Sequence, residues 1–218
     1  MKVGTDGVLL GAWTDVTNVN TILDIGTGSG LIALMLAQRT SDFVHIDAVE
    51  IEQHAYQQAC ENIKNAPWHH RVSAHYVSLQ QFESTQLYDL IVSNPPYFQN
   101  SQKPPDEKRV QARHTTSLSY PDLLKACVAL LGKSGRLNVI LPFTEGLQFI
   151  TLANQYGLHC SRQWSFRTRP EKPIERWLLE FSFNSTLPSE TGEILLYQHG
   201  EEWSDGYKEL TKEFYLKL

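Results

Sequence analysis

Length, composition and charge exclude several classes of protein. The chain has 218 residues, 41% of them hydrophobic, which suffices for one sizeable core but not for two independent enzymatic domains. Its formal charge of -5 argues against a protein that coats nucleic acid indiscriminately, because that binding mode depends on releasing many counterions. No apolar run approaches the roughly 18 residues that span a bilayer, and the first residues lack a signal-peptide apolar region, so we expect a cytoplasmic protein.

Strand-like and helix-like segments alternate along most of the chain, which is typical of an α/β protein with a mostly parallel sheet covered by helices. The predicted strands are 21–25, 43–49, 71–77, 88–92 and 136–141. The predicted helices are 31–39, 51–63, a helix capped by Ser119, and one near 145–156. Segments 159–166 and 174–183 are expected to form an antiparallel hairpin at the sheet edge. Beyond them lie a short strand candidate, 193–197, and a helix candidate, 205–216.

Two basic segments stand out against the acidic background. The first lies in the polar connection 98–118, which we interpret as a mobile flap because connections of this length are usually functional or disordered. The second surrounds the turn 167–173. The basic residues are Lys103, Lys108, Arg109, Arg113, His114, Arg162, Arg167, Arg169, Lys172 and Arg176. Phosphate contact is one interpretation of these segments, and a solvated charged loop is the other.

A glycine-rich turn, Asp24–Gly30, joins the first strand to the first helix of the sheet. The missing side chains of Gly26, Gly28 and Gly30 let a ligand lie against the backbone and the helix N-terminus. Glu50 ends the second strand, 20 residues beyond Gly30, where a carboxylate can accept hydrogen bonds from both hydroxyls of a ribose. These features leave nicotinamide, flavin and S-adenosylmethionine cofactors in contention.

Asp24 favours S-adenosylmethionine. Dinucleotide sites place pyrophosphate over the glycine turn, where a carboxylate is unhelpful, whereas the amino acid part of S-adenosylmethionine has an ammonium group for Asp24 to attract. The three scattered cysteines lack CxxC spacing, so the sequence indicates neither a disulfide framework nor a zinc site, and we expect no metal.

Asn94-Pro95-Pro96-Tyr97 follows the fourth strand and suits the task of holding a planar NH2 group. The Asn94 side-chain oxygen and the Pro95 carbonyl can both accept hydrogen bonds from an exocyclic amine, while the prolines fix the backbone. Tyr97, with Phe98 beside it, can stack on the ring that carries the amine. The simpler interpretation of the tetrapeptide is a rigid turn after a strand.

Together, these motifs resemble those of Rossmann-like class I methyltransferases that act on exocyclic amines. The resemblance covers residues 1–183 and implies a mostly parallel seven-stranded sheet with one antiparallel strand. Residues 184–218 are expected to be a C-terminal extension packed on the same domain. The opening Lys2–Trp13 resembles more specifically the bacterial tRNA1(Val) adenine N6-methyltransferases, which modify position 37 beside the anticodon. Segments 31–40 and 172–176 are also similar to that family.

The resemblance implies a role for each matching residue. Asn94, Pro95 and Tyr97 would be catalytic. Residues expected at the cofactor are Thr5, Asp6, Gly7, Asp24, Gly26, Gly28, Gly30, Glu50, Ser78, Leu79 and Asn94. Ser78 or the Leu79 backbone takes the place of the Asp that many methyltransferases direct at the cofactor adenine. Residues expected at the RNA are Pro96, Tyr97, Phe98, Arg109, Arg113, Arg167, Arg169 and Lys172.

The expected partner is a tRNA anticodon stem-loop, with no obligate protein partner. Family members usually have a further stretch ahead of Lys2, so this chain is expected to start late. Four alternatives stay open. The clamp fits a glutamine side-chain amide, or another nucleic-acid exocyclic amine, as well as it fits adenine. The chain could also be a non-catalytic RNA-binding module or, less plausibly, a nicotinamide dehydrogenase.

Overall fold

A computed structural model describes residues 4–96, 118–185 and 190–215. The strands of the main sheet are β1 (Thr21–Ile25), β2 (His45–Glu50), β3 (Val72–Tyr76), β4 (Tyr88–Ser93), β5 (Leu131–Pro142), β6 (His159–Arg167), β7 (Arg176–Ser182) and β8 (Glu190–Leu195). A second, small sheet pairs β9 (Tyr197–His199) with β10 (Glu202–Trp203). The helices are α1 (Thr5–Trp13), α2 (Leu31–Arg39), α3 (Gln53–Asn65), α4 (Tyr120–Leu130), α5 (Phe143–Gln155) and α6 (Asp205–Thr211).

The sheet topology confirms the predicted fold class. The strand order is β3-β2-β1-β4-β5-β7-β6-β8, and β1 to β5 are all parallel to one another. Strand β7 runs antiparallel to both β5 and β6, which makes it the one antiparallel strand. The predicted strand count was one too low, because β8 adds an eighth strand parallel to β6. The β6–β7 hairpin therefore lies inside the sheet, and the prediction of an edge hairpin was wrong.

Strand β1 lies at the centre because its apolar residues alternate between two covered faces. Ile22 packs into the cluster that includes Leu9 and Leu36, from α1 and α2. Leu23 belongs to the opposite cluster, with Leu124 and Phe149 from α4 and α5. Strands buried on both faces in this way are typical of parallel sheets between two helical layers.

The register of β1 brings three predicted motifs to one edge of the sheet. Ile25 pairs with Val49 of β2 on one side and with Ser93 of β4 on the other. The residues that follow these three positions start the glycine turn, the Glu50 region and the Asn94 segment. Because the carboxyl ends of parallel strands meet at one edge, that edge is where ligands bind in sheets of this kind.

Helix α1 packs closely on α2 through glycines. A Cβ atom added to Gly7 would lie 3.2 Å from Leu31 Cδ2, and one added to Gly11 would lie 2.8 Å from Met35 Sδ. This close packing fixes the N-terminal segment beside the carboxyl edge of the sheet. Among the described residues, no helix is long and apolar enough to cross a membrane.

Candidate active site

The glycine turn after β1 is a tightly bonded loop. Gly26, Gly28 and Gly30 have φ angles of 70°, 60° and 81°, a left-handed conformation that side chains with a Cβ rarely adopt. The amides of Gly26 and Thr27 donate to the Val49 carbonyl at 2.9 and 3.1 Å, which ties the turn to the end of β2. The loop therefore has little freedom even without a ligand.

Asp24 lies beneath this loop and supports it. Its side chain is fully buried, and its Oδ2 accepts hydrogen bonds from Thr27 Oγ1 at 2.6 Å and from the Ala33 amide of α2 at 3.1 Å. Burial raises the pKa of Asp24 to about 7; the two hydrogen bonds act in the opposite direction, and the charge of Glu50 adds to the rise. Oδ1 is buried without a hydrogen-bond partner among the described residues.

Glu50 lies at the wall of the adjoining cavity and holds two loops. Its Oε2 accepts from the Gly28 amide and its Oε1 from the Glu52 amide, both at 2.8 Å. A ribose would have to share these carboxylate oxygens with the backbone amides. The side chain is only 9% exposed, so the carboxylate is aimed at the site and not at bulk solvent.

The first cavity, of about 460 Å³, opens at the carboxyl ends of β1, β2 and β4. Gly7, Gly26, Gly28, Glu50, Ser78, Leu79 and Asn94 are among the residues that line it, whereas Asp24 and Gly30 lie behind its wall. The Ser78 hydroxyl donates to Gln81 Oε1 at 3.1 Å. The described lining residues include two carboxylates, Glu50 and Asp122, and no lysine or arginine. That charge balance suits a cationic nucleoside better than a pyrophosphate.

A second cavity of about 540 Å³ lies on the other side of the Asn94 segment. Gly4, Asn94, Pro95 and Pro96 line both cavities. The segment is anchored by the residue before it, because Ser93 Oγ donates to the Ile25 carbonyl of β1 at 2.9 Å. Asn94 thus follows a fixed strand end and lies between two spaces, each large enough for a small planar group.

The opening segment is divided between the two cavities. Gly7 lines the first, whereas Thr5 and Asp6, which were predicted at the cofactor, line the second. Asp6 Oδ2 accepts from Arg176 Nε at 2.9 Å, which joins the start of α1 to the start of β7. Glu175 beside it accepts from the Thr168 hydroxyl at 2.6 Å.

The predicted RNA-binding residues of the second basic segment have partners within the protein. Arg167 Nε lies 2.7 Å from Glu193 Oε1, and the Arg169 guanidinium lies 5.1 Å from the ring centre of Tyr197. Lys172 is exposed. The remaining predicted residues, Tyr97, Phe98, Arg109 and Arg113, lie outside the described residues, as does most of the predicted flap.

Sequence reasoning missed the second cavity and its charged pair. Segment 172–176 resembles the family in sequence, but the sequence does not indicate its role. Asp6 and Arg176 are 170 residues apart, so no local pattern connects them. The sequence offers one indication of the pair, which is that one family-like segment contains the acidic Asp6 and the other contains the basic Arg176.

Comparisons with known proteins identify the family of this chain. Residues 5–141 match the family described as the methyltransferase small domain. The whole chain is 44% identical to the tRNA1(Val) (adenine(37)-N6)-methyltransferase of Bacteroides thetaiotaomicron and 46% identical to that of Trichodesmium erythraeum, and it covers 92% of each.

Solved structures share the fold at much lower identity. A predicted O-methyltransferase from Agrobacterium tumefaciens superposes with a TM-score of 0.75 at 15% identity, covering 95% of this chain and 96% of that one. A glycopeptide N-methyltransferase complexed with S-adenosylmethionine gives 0.61 at 10% identity, covering 84% and 100%. The predicted family is thereby confirmed: the chain belongs to the methyltransferase small domain family and, within it, to the tRNA1(Val) (adenine(37)-N6)-methyltransferase family.

Proposed function

We propose that this protein transfers a methyl group from S-adenosylmethionine to N6 of the adenine at position 37 of tRNA1(Val). The observation that carries the proposal is that Asn94, Pro95 and Pro96 line both cavities. A methyl donor in one cavity and an amine in the other would meet at this segment. The names of the full-length relatives supply the identity of the RNA and of its base.

The first cavity would hold S-adenosylmethionine, which its volume and the charge of its described lining support. The left-handed glycines leave open space at Gly26, where an added Cβ would meet nothing within 4 Å. Glu50 would accept from the ribose, and Ser78 and Leu79 would contact the adenine. Asp24 would act indirectly, because it supports the glycine turn from beneath through its hydrogen bonds with Thr27 and the Ala33 amide. When bound, S-adenosylmethionine supplies a methyl group whose bond to sulfur breaks as its bond to N6 forms.

Asn94 and Pro95 perform the work on the acceptor amine. The N6 lone pair is delocalised into the adenine ring, so the enzyme must favour a more tetrahedral nitrogen. Asn94 Oδ1 and the Pro95 carbonyl would accept the two N6 hydrogens. Because positive charge develops on N6 during the transfer, these acceptors bind the transition state more strongly than the ground state. No strong base is required, since N6 can release its proton to water after the transfer.

The second cavity and the neighbouring surface would receive the RNA. A base within an anticodon loop must leave its stack, and stacking on Tyr97 and Phe98 would offset part of that cost, at about 1–3 kcal/mol per base. Pro96 and the buried Phe166 contribute apolar surface to the wall of the second cavity. Arg109, Arg113 and Lys172 would contact phosphates directly. Arg167 and Arg169 would do so only while also holding their internal partners.

Labelled S-adenosylmethionine tests this proposal. The protein is incubated with tRNA1(Val) transcript, with the same transcript carrying guanine at position 37, and with a release-factor-like protein. We expect label only in the first transcript, as N6-methyladenine at position 37. Equal label in the guanine transcript would contradict the assigned position, and label in the protein alone would favour glutamine methylation.

A further inference from the structure

The second cavity is crossed by an ion pair that the proposed reaction does not explain. Arg176 Nε donates to Asp6 Oδ2 at 2.9 Å, and Arg176 Nη1 donates to the Glu175 carbonyl at 3.0 Å. Both side chains are largely buried, with 27% and 19% of their surfaces exposed. A charged pair that gives up most of its hydration gains stability only from good geometry, so such a pair more often fixes an arrangement than stabilises a fold.

The two ends of the pair belong to elements that are themselves held firmly. Glu175 Oε1 accepts from the amide and the hydroxyl of Thr168 at 3.1 and 2.6 Å, and the Glu175 amide donates to the Phe166 carbonyl at 2.8 Å. On the other side, the glycine contacts fix α1 against α2. The N-terminal end of α1, from Gly4 to Asp6, precedes these glycine contacts and is joined to the start of β7 by the ion pair.

That N-terminal end also forms part of the wall of both cavities. Gly4 lines both cavities, Gly7 lines the cofactor cavity, and Asp6 lines the second cavity. A small movement of this end would change the width of the second cavity beside Asn94, whereas Glu50 and the glycine turn are held by hydrogen bonds to each other and to the end of β2. In methyl transfer, a displacement of about 1 Å between reacting groups can cost about a hundredfold in rate.

The charges of the second cavity suit a base and not a phosphate. Its described lining contains two carboxylates, Asp6 and Glu175, against one guanidinium, Arg176. This excess of negative charge would repel a phosphate, whereas a neutral ring between Pro95 and Phe166 meets no such penalty. Arg176 therefore has a different task from the phosphate contact that its basic segment suggests.

We propose that Asp6 and Arg176 are positioning residues that fix the N-terminal end of α1 as part of the wall of the target-base cavity. This inference rests on the proposed function. The pair acts on how the base is placed beside Asn94, and it leaves cofactor affinity and global stability largely unchanged.

The test compares Asp6→Asn, Arg176→Gln and the double variant in the whole 218-residue chain. The matched control is Asp15→Asn with Arg136→Gln, because Asp15 and Arg136 also pair a residue near α1 with a central strand, at 2.5 Å, but line neither cavity. For each protein we would measure kcat and KM with tRNA1(Val), the S-adenosylmethionine Kd by calorimetry, and Tm.

Each single variant should lose about tenfold or more in kcat/KM for the RNA, with the cofactor Kd within about twofold of wild type. The double variant should lose no more than the worse single variant, because the two residues act as one unit. The control pair should lower Tm at least as much while keeping kcat/KM.

Three results would overturn the inference: additive losses in the double variant, a weakened cofactor Kd that accounts for the loss, or an equal loss in the control pair. Wild-type protein that methylates no tRNA would instead refute the proposed function itself. The two failures are therefore distinguishable.

Discussion

Replacement of Asp24 by Asn should change how the stability of the ligand-free protein depends on pH. Asp24 is fully buried, and its pKa is raised from 3.8 to about 7. Between these values the folded state keeps a proton that the unfolded state has lost. The stabilisation is therefore fully present below about pH 4 and is lost as pH rises through about 7. About three pKa units correspond to at most roughly 4 kcal/mol.

Urea unfolding of wild type and Asp24→Asn at steps from about pH 4 to pH 8 measures this effect. Asn cannot ionise, so the free energy of unfolding of the variant, relative to wild type, should increase by up to about 4 kcal/mol across that range. Exposed Glu83→Gln is the control and should follow wild type. Parallel curves for wild type and Asp24→Asn would refute the argument that burial keeps Asp24 protonated.

Three further predictions concern the cofactor wall, an ion pair and the sheet edge. Glu50→Gln should weaken S-adenosylmethionine binding about tenfold, as measured by calorimetry. The reason is that an NH2 group replaces one carboxylate oxygen and faces the Gly28 or the Glu52 amide. Unchanged affinity would contradict the role of Glu50 in cofactor binding. Burial would raise the pKa of Asp15, but hydrogen bonds from Thr17 and Arg136 outweigh it and lower the pKa to about 2. The stability that Asp15 adds is present above about pH 4 and is lost as pH falls toward 2. The free energy of unfolding of Asp15→Asn should therefore depend less on pH in acid than that of wild type. The same pH dependence in both proteins would contradict this prediction. Gly192→Ala should lower the free energy of unfolding by about 1–3 kcal/mol, because the new Cβ would lie 2.5 Å from the Trp164 ring. An unchanged free energy of unfolding would contradict this prediction and show that β8 shifts to make room for the methyl group.

The central strands could be predicted from sequence because their information is local. The apolar runs around Ile22, Ile46 and Leu90 are short and bounded by turn residues, so they give both the strand type and the strand ends. Strand ends then predict the site, since parallel strands bring their carboxyl ends to one edge. The glycine turn, Glu50 and Asn94 follow from that rule.

The remaining features depend on contacts between distant residues. The predicted short strand 193–197 overlaps the second half of β8, but its place in the main sheet was not predicted. The polar first half of β8, Glu-Thr-Gly, gives little strand signal, and pairing with β6 specifies it. The burial of Asp24 could not be predicted either. A carboxylate at a strand end has the same sequence pattern whether it faces a ligand or supports a loop. The Asp6–Arg176 pair could not be predicted, because only the folded chain brings these two distant residues into contact.

The most direct test of the account is single-turnover methylation of tRNA1(Val) by wild type and Asn94→Ala at saturating S-adenosylmethionine. We expect wild type to form N6-methyladenine at position 37, detected by mass spectrometry. Asn94→Ala should be slower by about a hundredfold or more, with its cofactor Kd within a few fold of wild type, because Asn94 acts on the amine in the transition state. Equal rates for the two proteins would contradict the central claim that the Asn94 segment holds the acceptor amine.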